Sequence, residues 1–238
     1  MPSDIFTAVH RFLDAEYDWQ PLGCGSSNRL YRADAAGQTL VLRVNAPPGL
    51  AQGVDRRREA QLLARLAGQV WAPVVHHCDP DAGWLLMDWH GETPARPLAA
   101  PLKRQLMQAV ADWQQLEIDE GLAIDYRQLF DHYRRQLLGL PMSKALLQLI
   151  ERLEQGHEAL PKLPLTLTHH DLHHANLCAQ DGRLVIVDWE YGAPGSPWFD
   201  AAALVREFGV TPRDVARLPA FAELGHQPLE RGWPGPAG

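Results

Sequence analysis

The period of apolar positions changes several times along the chain, and each change predicts an element. Over residues 4–17, Ile5, Phe6, Val9, Phe12 and Leu13 share one side of a 3.6-residue spiral, which predicts an amphipathic helix. Alternation follows. Residues 19–24, 28–34 and 39–44 predict three short strands, the last two joined by a hairpin turn at Ala35-Ala36-Gly37-Gln38. Residues 52–68 return to a helical period, and 73–78 and 84–89 predict two more strands around Asp79-Pro80-Asp81-Ala82-Gly83. A connector rich in Pro and Ala occupies 92–101. Helical patterns then cover 101–117, 125–139 and 143–159, and 161–182 is strand-poor and bounded by prolines. A short apolar strand at 184–187 and a helix at 198–208 complete the pattern. From Gln227 onward, three prolines and three glycines predict a frayed or disordered tail. Five strands with two helices followed by a mostly helical half is an α+β arrangement. Its boundary falls near 90–100, giving segments 1–91 and 92–238.

Composition narrows the function classes. The chain has 238 residues, 46% hydrophobic and 21% charged, which is ordinary globular usage. A net charge of −7 argues against a large nucleic-acid footprint. Cys24, Cys78 and Cys178 are odd in number and lack CxxC spacing, as expected of reduced thiols in a cytoplasmic protein. There is no charged-then-apolar leader and no apolar run long enough to span a membrane, so a soluble protein without a membrane partner is expected.

The chemistry concentrates in His169-His170-Asp171-Leu172-His173-His174-Ala175-Asn176 and in Val185-Ile186-Val187-Asp188-Trp189-Glu190. Asp171 and Asn176 lie in a polar loop, and Asp188 ends an apolar strand. Phosphoryl transfer needs a carboxylate to hold the attacking hydroxyl and hard oxygen ligands for Mg²⁺. Asp171 suits the first task, Asn176 and Asp188 the second. Asn176 follows Asp171 by five residues and Asp188 follows Asn176 by twelve, the order of a kinase catalytic loop and metal aspartate. The four histidines also suggest zinc by number, but their spacing matches no common finger.

With these motifs the chain resembles the aminoglycoside phosphotransferase and choline kinase superfamily, which has the protein-kinase-like two-lobed fold. Val187-Asp188-Trp189-Glu190-Tyr191 looks most like the choline and thiamine kinase branch. The resemblance covers about residues 20–205. It implies a nucleotide-binding N-terminal lobe over 1–91 and a helical lobe over 92–238. It implies ATP and Mg²⁺ as cofactors, Asp171 as catalytic base and Asn176 and Asp188 as metal ligands. It also matches Phe199-Asp200-Ala201-Ala202 to a following F-D-x-A element.

On the nucleotide side, Gly23-Cys24-Gly25-Ser26-Ser27-Asn28 lies between two predicted strands, where small residues and hydroxyls suit phosphate oxygens. Arg43 interrupts Val41, Leu42 and Val44, and a charge there needs a partner. Glu59 shares a helical face with Leu62, Leu63 and Leu66, so Arg43 and Glu59 are expected to form a strand–helix ion pair. Lysine is the commoner residue at the Arg43 position in the family. Trp84–Trp89 looks like the hinge strand, with Leu86, Met87 and Asp88 expected near the adenine.

For the acceptor, Trp189, Tyr191 and Trp198 with the carboxylate of Glu190 suggest a wall for a compact cation. The expected partner is therefore a small-molecule alcohol such as thiamine or choline. An aminoglycoside or amino sugar is the alternative acceptor, and a non-catalytic nucleotide-binding protein is a further alternative.

Overall fold

The computed structural model describes residues 2–24, 28–35, 37–47, 53–117, 119–138, 140, 143–222 and 224. They form two compact units. One comprises Met1–Ala109 and Asp171–Gly192, the other Val110–His170 and Ala193–Gly238. The chain thus leaves the first unit and returns to it, so the 171–192 segment clusters with the N-terminal elements and not with the helical ones.

The first unit is built on a five-stranded antiparallel sheet. Its strands are β1 (Gln20–Cys24), β2 (Arg29–Ala35), β3 (Gln38–Val44), β4 (Val75–Asp79) and β5 (Trp84–Asp88), in the order β1-β2-β3-β5-β4. Alternation gives the sheet two faces. Leu40, Leu42, Val44, Trp84 and Leu86 pack with Val9 of α1 (Pro2–Leu13) into one core. The intervening residues Val41, Arg43, Leu85 and Met87 therefore point to the opposite face, where Arg43 meets α2 (Arg56–Leu66). α1 is shorter than its period predicts, because Asp14 turns left-handed at φ 50° and ends it. α2 begins later than expected, capped by Asp55, whose carboxylate accepts from the backbone of Arg57 and Arg58. The leucine-stripe expectation holds, with Glu59, Leu62, Leu63 and Leu66 all buried.

The 171–192 segment contributes a hairpin, β7 (Leu177–Gln180) paired with β8 (Arg183–Ile186). Its two turn residues, Asp181 and Gly182, both have positive φ (51° and 77°), the geometry that matches the twist of a two-residue hairpin. This hairpin corrects the strand-poor expectation for 161–182. The backbone of Ala179 passes against Gly91, whose φ of 91° and closeness to that carbonyl leave no room for a side chain.

In the second unit, α4 (Tyr126–Leu137) pairs with α5 (Ser143–Ala159), and Arg134 bonds Glu154 between them. α3 (Ala100–Trp113) carries the chain into this unit, where Val110 and Trp113 are fully buried. Two three-residue strands, β6 (Thr166–Thr168) and β9 (Ala193–Gly195), pair antiparallel. α6 (Trp198–Phe208) and a short α7 (Pro212–Val215) follow. The expected tail from Gln227 lies outside the described residues. No helix among the described residues is long and apolar enough to cross a membrane.

Candidate active site

The site in the first unit grows from the leucine stripe. Burying Leu62, Leu63 and Leu66 carries Glu59 inward, to 1% side-chain exposure, and Arg43 reaches it from β3 at 2.7 Å. Burial alone would lower the pKa of Arg43, but the Glu59 carboxylate reverses that and the net shift is upward. Burial alone would raise Glu59, but Arg43 and then Arg56 hold it below the usual carboxylate range. The other nitrogen of the Arg43 fork, Nη1, donates to Asp188 at 3.0 Å, and its Nε donates to Asn45 at 3.1 Å. The planar fork thus serves three acceptors at once.

Asp188 reaches Arg43 through an unusual backbone. It adopts φ 62°, ψ 60°, the left-handed region that few non-glycine residues occupy. Burial pushes its carboxyl up to about 6 against the pull of Arg43, with Glu190, Glu59 and Asp171 adding to the rise.

The β7–β8 ladder explains why Asn176 and Asp188 belong together. Leu177 pairs with Ile186, and the Val187 N–H donates to the Asn176 carbonyl at 2.9 Å, so both residues leave the same end of the hairpin. Asn176 donates its amide to the Asp171 carbonyl at 2.9 Å and to the Asp171 carboxylate at 3.2 Å. This leaves its Oδ1 as an acceptor. An amide oxygen and a carboxylate at one end of a hairpin are hard oxygen donors, the set that fits Mg²⁺. Asp171 is half-buried, and burial raises its carboxyl above the ordinary range, with His173 at 3.5 Å and Asn176 opposing the rise.

In the second unit, buried Asp200 fixes the two residues that precede Asp171 in the chain. It accepts from the backbone N–H of His169 at 2.9 Å and of His170 at 3.2 Å, and burial pushes its carboxyl up to about 7. His170 is left-handed at φ 64°. Its Nδ1 donates to the Thr168 carbonyl at 3.1 Å, so Nε2 accepts from the Tyr126 hydroxyl at 2.7 Å. That hydroxyl in turn accepts from the Ser196 N–H at 2.8 Å. A side chain at Gly195 would collide with both His170 and Tyr126. The Tyr126 ring stacks on Phe199 at 4.9 Å, and His157 lies 4.7 Å from Tyr126.

The four histidines do not converge on one point. Asp200 holds His169 and His170 by their backbone N–H groups, His173 approaches Asp171, and His174 Nε2 donates to the Pro94 carbonyl at 2.6 Å. Among the described residues, no group of three or more His, Cys, Asp or Glu side chains is placed to hold a metal ion.

Other expectations need correction. The aromatic acceptor wall does not form from Trp189 and Trp198. Trp189 is 0% exposed, donates to the Ile186 carbonyl and packs 5.8 Å from Trp71. Trp198 is 7% exposed, donates to the Pro161 carbonyl and meets Phe221 edge-on. Both rings are core. Glu190 is buried and bonded to Asn28 and Arg56, while Tyr191 is half-buried. The Leu86 side chain belongs to the α1 core and Asp88 bonds Gln38 and His76, so Met87 alone of the three hinge residues faces the Arg43 side of the sheet. Of the small-residue loop, Gly23 lies in β1 opposite Leu30, whereas Gly25, Ser26 and Ser27 lie outside the described residues. Sequence reasoning missed Arg56, hidden in a run of three arginines, and Tyr126 and His157, which lie far along the chain from the His170 and Phe199 they pack against.

Comparison with known proteins adds an independent line. A model described as "Phosphotransferase enzyme family" matches residues 18–238. Protein LicA of Haemophilus influenzae is 29% identical over 217 residues, covering 87% of this chain and 62% of that protein. A second Haemophilus influenzae Protein LicA, from strain Rd, matches at 29% over 109 residues, 43% of this chain and 41% of that protein. The chain thus spans less than two thirds of the curated relatives it matches. Among solved structures, choline kinase LicA from Streptococcus pneumoniae superposes with a TM-score of 0.67 at 18% identity, over 90% of this chain and 77% of that one. The streptomycin–ATP–APH(2″)-IIa ternary complex gives 0.68 at 17% identity, over 97% and 86%. At these identities the likeness is one of fold, and the fold is the protein-kinase-like α+β arrangement.

Proposed function

Because the chain belongs to the phosphotransferase enzyme family, we propose that it transfers the γ-phosphate of ATP to the hydroxyl of a compact amino alcohol of the choline or thiamine type. The carrying observation is the β7–β8 hairpin end, which presents Asn176 and Asp188 together while Arg43 ties Asp188 to Glu59. In this reading the Asp171 carboxylate orients the acceptor hydroxyl and receives its proton as the oxygen attacks the γ-phosphorus and the bond to the β–γ bridging oxygen breaks, releasing ADP. Asn176 Oδ1 and the Asp188 carboxylate would hold Mg²⁺, which would supply neutralisation of phosphate charge. Glu59 fixes the direction of Arg43, and the guanidinium N–H groups beyond those given to Glu59, Asp188 and Asn45 would serve a phosphate oxygen. We assign Gly23 and Asn28 to the phosphate side and Met87 to the adenine side of the sheet.

Kinship supports the choline-type acceptor: the relative in Haemophilus bears the name LicA, and a LicA of Streptococcus is described as a choline kinase. With Trp189 and Trp198 in the core, neither ring offers a face to a cation. An aminoglycoside is the second reading, since the streptomycin-bound kinase superposes as well as the choline kinase does. A coupled ADP-release assay with choline, thiamine and kanamycin at equal concentration separates them. Faster release with a compact cation supports the proposal, and release with kanamycin alone transfers the assignment to the second reading.

A further inference from the structure

Arg56 is the first residue of α2 and opens a run of three arginines, a position that ordinarily faces solvent. Its guanidinium instead turns inward. Nη1 donates to Glu59 at 3.0 Å and to Glu190 at 2.8 Å, and Nη2 donates to the Asn28 side-chain oxygen at 3.0 Å. Asn28 closes the circuit: its amide donates to the same Glu190 oxygen at 2.8 Å, and its own oxygen also accepts from the Ala46 N–H at 3.1 Å. One side chain therefore joins three separate pieces of the first unit. These are the end of the small-residue segment at Asn28, the helix that carries Glu59, and the turn two residues beyond Asp188.

The charges show what this joint does. Three carboxylates, Glu59, Asp188 and Glu190, face two guanidiniums, Arg43 and Arg56. Arg56 compensates Glu190 and shares Glu59, which leaves Arg43 free to divide itself between Glu59 and Asp188. The surplus negative charge then rests at Asp188. Without Arg56, buried Glu190 would have Asn28 alone as its partner in this network, and its field already acts on Arg43. A buried carboxylate that loses its cation recruits another or moves. Either response shifts Arg43 or the Asp188 turn.

We infer that Arg56 is a positioning residue for nucleotide binding: through Glu190 and Asn28 it fixes Asn28 and the Asp188 turn relative to Arg43. This inference rests on the kinase reading above.

The test is a set of variants measured for Mg²⁺–ATP binding by calorimetry and for KM of both substrates: Arg56→Gln, Arg56→Lys, Glu190→Gln and the double variant Arg56→Gln/Glu190→Gln. Arg56→Gln is expected to weaken Mg²⁺–ATP binding about 10-fold or more, a loss of about 1.4 kcal/mol. Acceptor KM should stay within about twofold, because the perturbation lies on the nucleotide side. Arg56→Lys, which keeps the charge but loses the fork, should lose about threefold and guards against a variant that does not fold. The double variant should bind better than Arg56→Gln alone, because the stranded anion is gone. A folded Arg56→Gln that binds Mg²⁺–ATP within twofold of wild type overturns the inference, as do double-variant losses equal to the product of the singles. Wild-type protein that binds no Mg²⁺–ATP instead overturns the kinase reading beneath it.

Discussion

Replacing Glu59 with glutamine probes the centre of the charge network with a nearly isosteric change. The carboxylate is buried, and one of its oxygens, Oε2, takes both Arg43 at 2.7 Å and Arg56 at 3.0 Å. Its other oxygen has no partner among the described residues, so the amide –NH₂ of glutamine can turn to that side only without an acceptor. Removing one partner of a buried pair costs about 3–5 kcal/mol, because the remaining charge is stranded. Here Arg43 keeps Asp188 and Arg56 keeps Glu190, so the lower end applies, about 3 kcal/mol at pH 7. The sign with pH follows from the depressed Glu59 pKa. A carboxylate held below its unfolded value contributes its full stability above that value and loses it as pH falls through the folded one. The gap between wild type and Glu59→Gln should therefore be complete at pH 7 and shrink below about pH 4. Urea unfolding followed by tryptophan fluorescence at several pH values measures it. A gap under about 1 kcal/mol at pH 7, or one unchanged down to pH 3, would refute the reasoning.

Two other substitutions have predictable outcomes. Asp188→Asn should stabilise the metal-free protein above pH 6, by about 1 kcal/mol after allowing for solvent screening. The Asp188 carboxyl is raised toward about 6, so its ionisation costs stability as pH climbs from the ordinary range to that value, and asparagine tolerates the left-handed backbone; equal unfolding midpoints at pH 5 and pH 8 for the two proteins would count against this. Trp198→Ala should cost about 3–5 kcal/mol of stability as a core deletion, and a selective rise in acceptor KM with an unchanged unfolding midpoint would restore Trp198 to the acceptor site.

What the sequence reveals depends on whether a pattern has one physical meaning. A carboxylate in register with three leucines has essentially one, burial with a cation, and the Arg43–Glu59 pair is found as that pattern requires. Aromatic residues beside carboxylates have two, pocket or core. The left-handed turn at Asp188 decides between them by sending the carboxylate toward Arg43 and Trp189 into the interior. Arg56 was illegible for the opposite reason. Three consecutive arginines read as a solvated face, and only the Asp55 cap, which sets where α2 begins, turns the first of them inward. The strands β6, β7 and β9 escaped because three or four residues, one of them Pro194, carry too little alternation to register.

The central claim is that Asp171 serves phosphate transfer to an alcohol. The direct measurement is acceptor-dependent ADP release by wild type and by Asp171→Asn, with Mg²⁺–ATP binding measured on both. Release should require a compact amino alcohol and fall by about 10² or more in the variant, while nucleotide affinity stays within a fewfold. Wild-type-like turnover in Asp171→Asn, or bound nucleotide with no release for any alcohol, would contradict it.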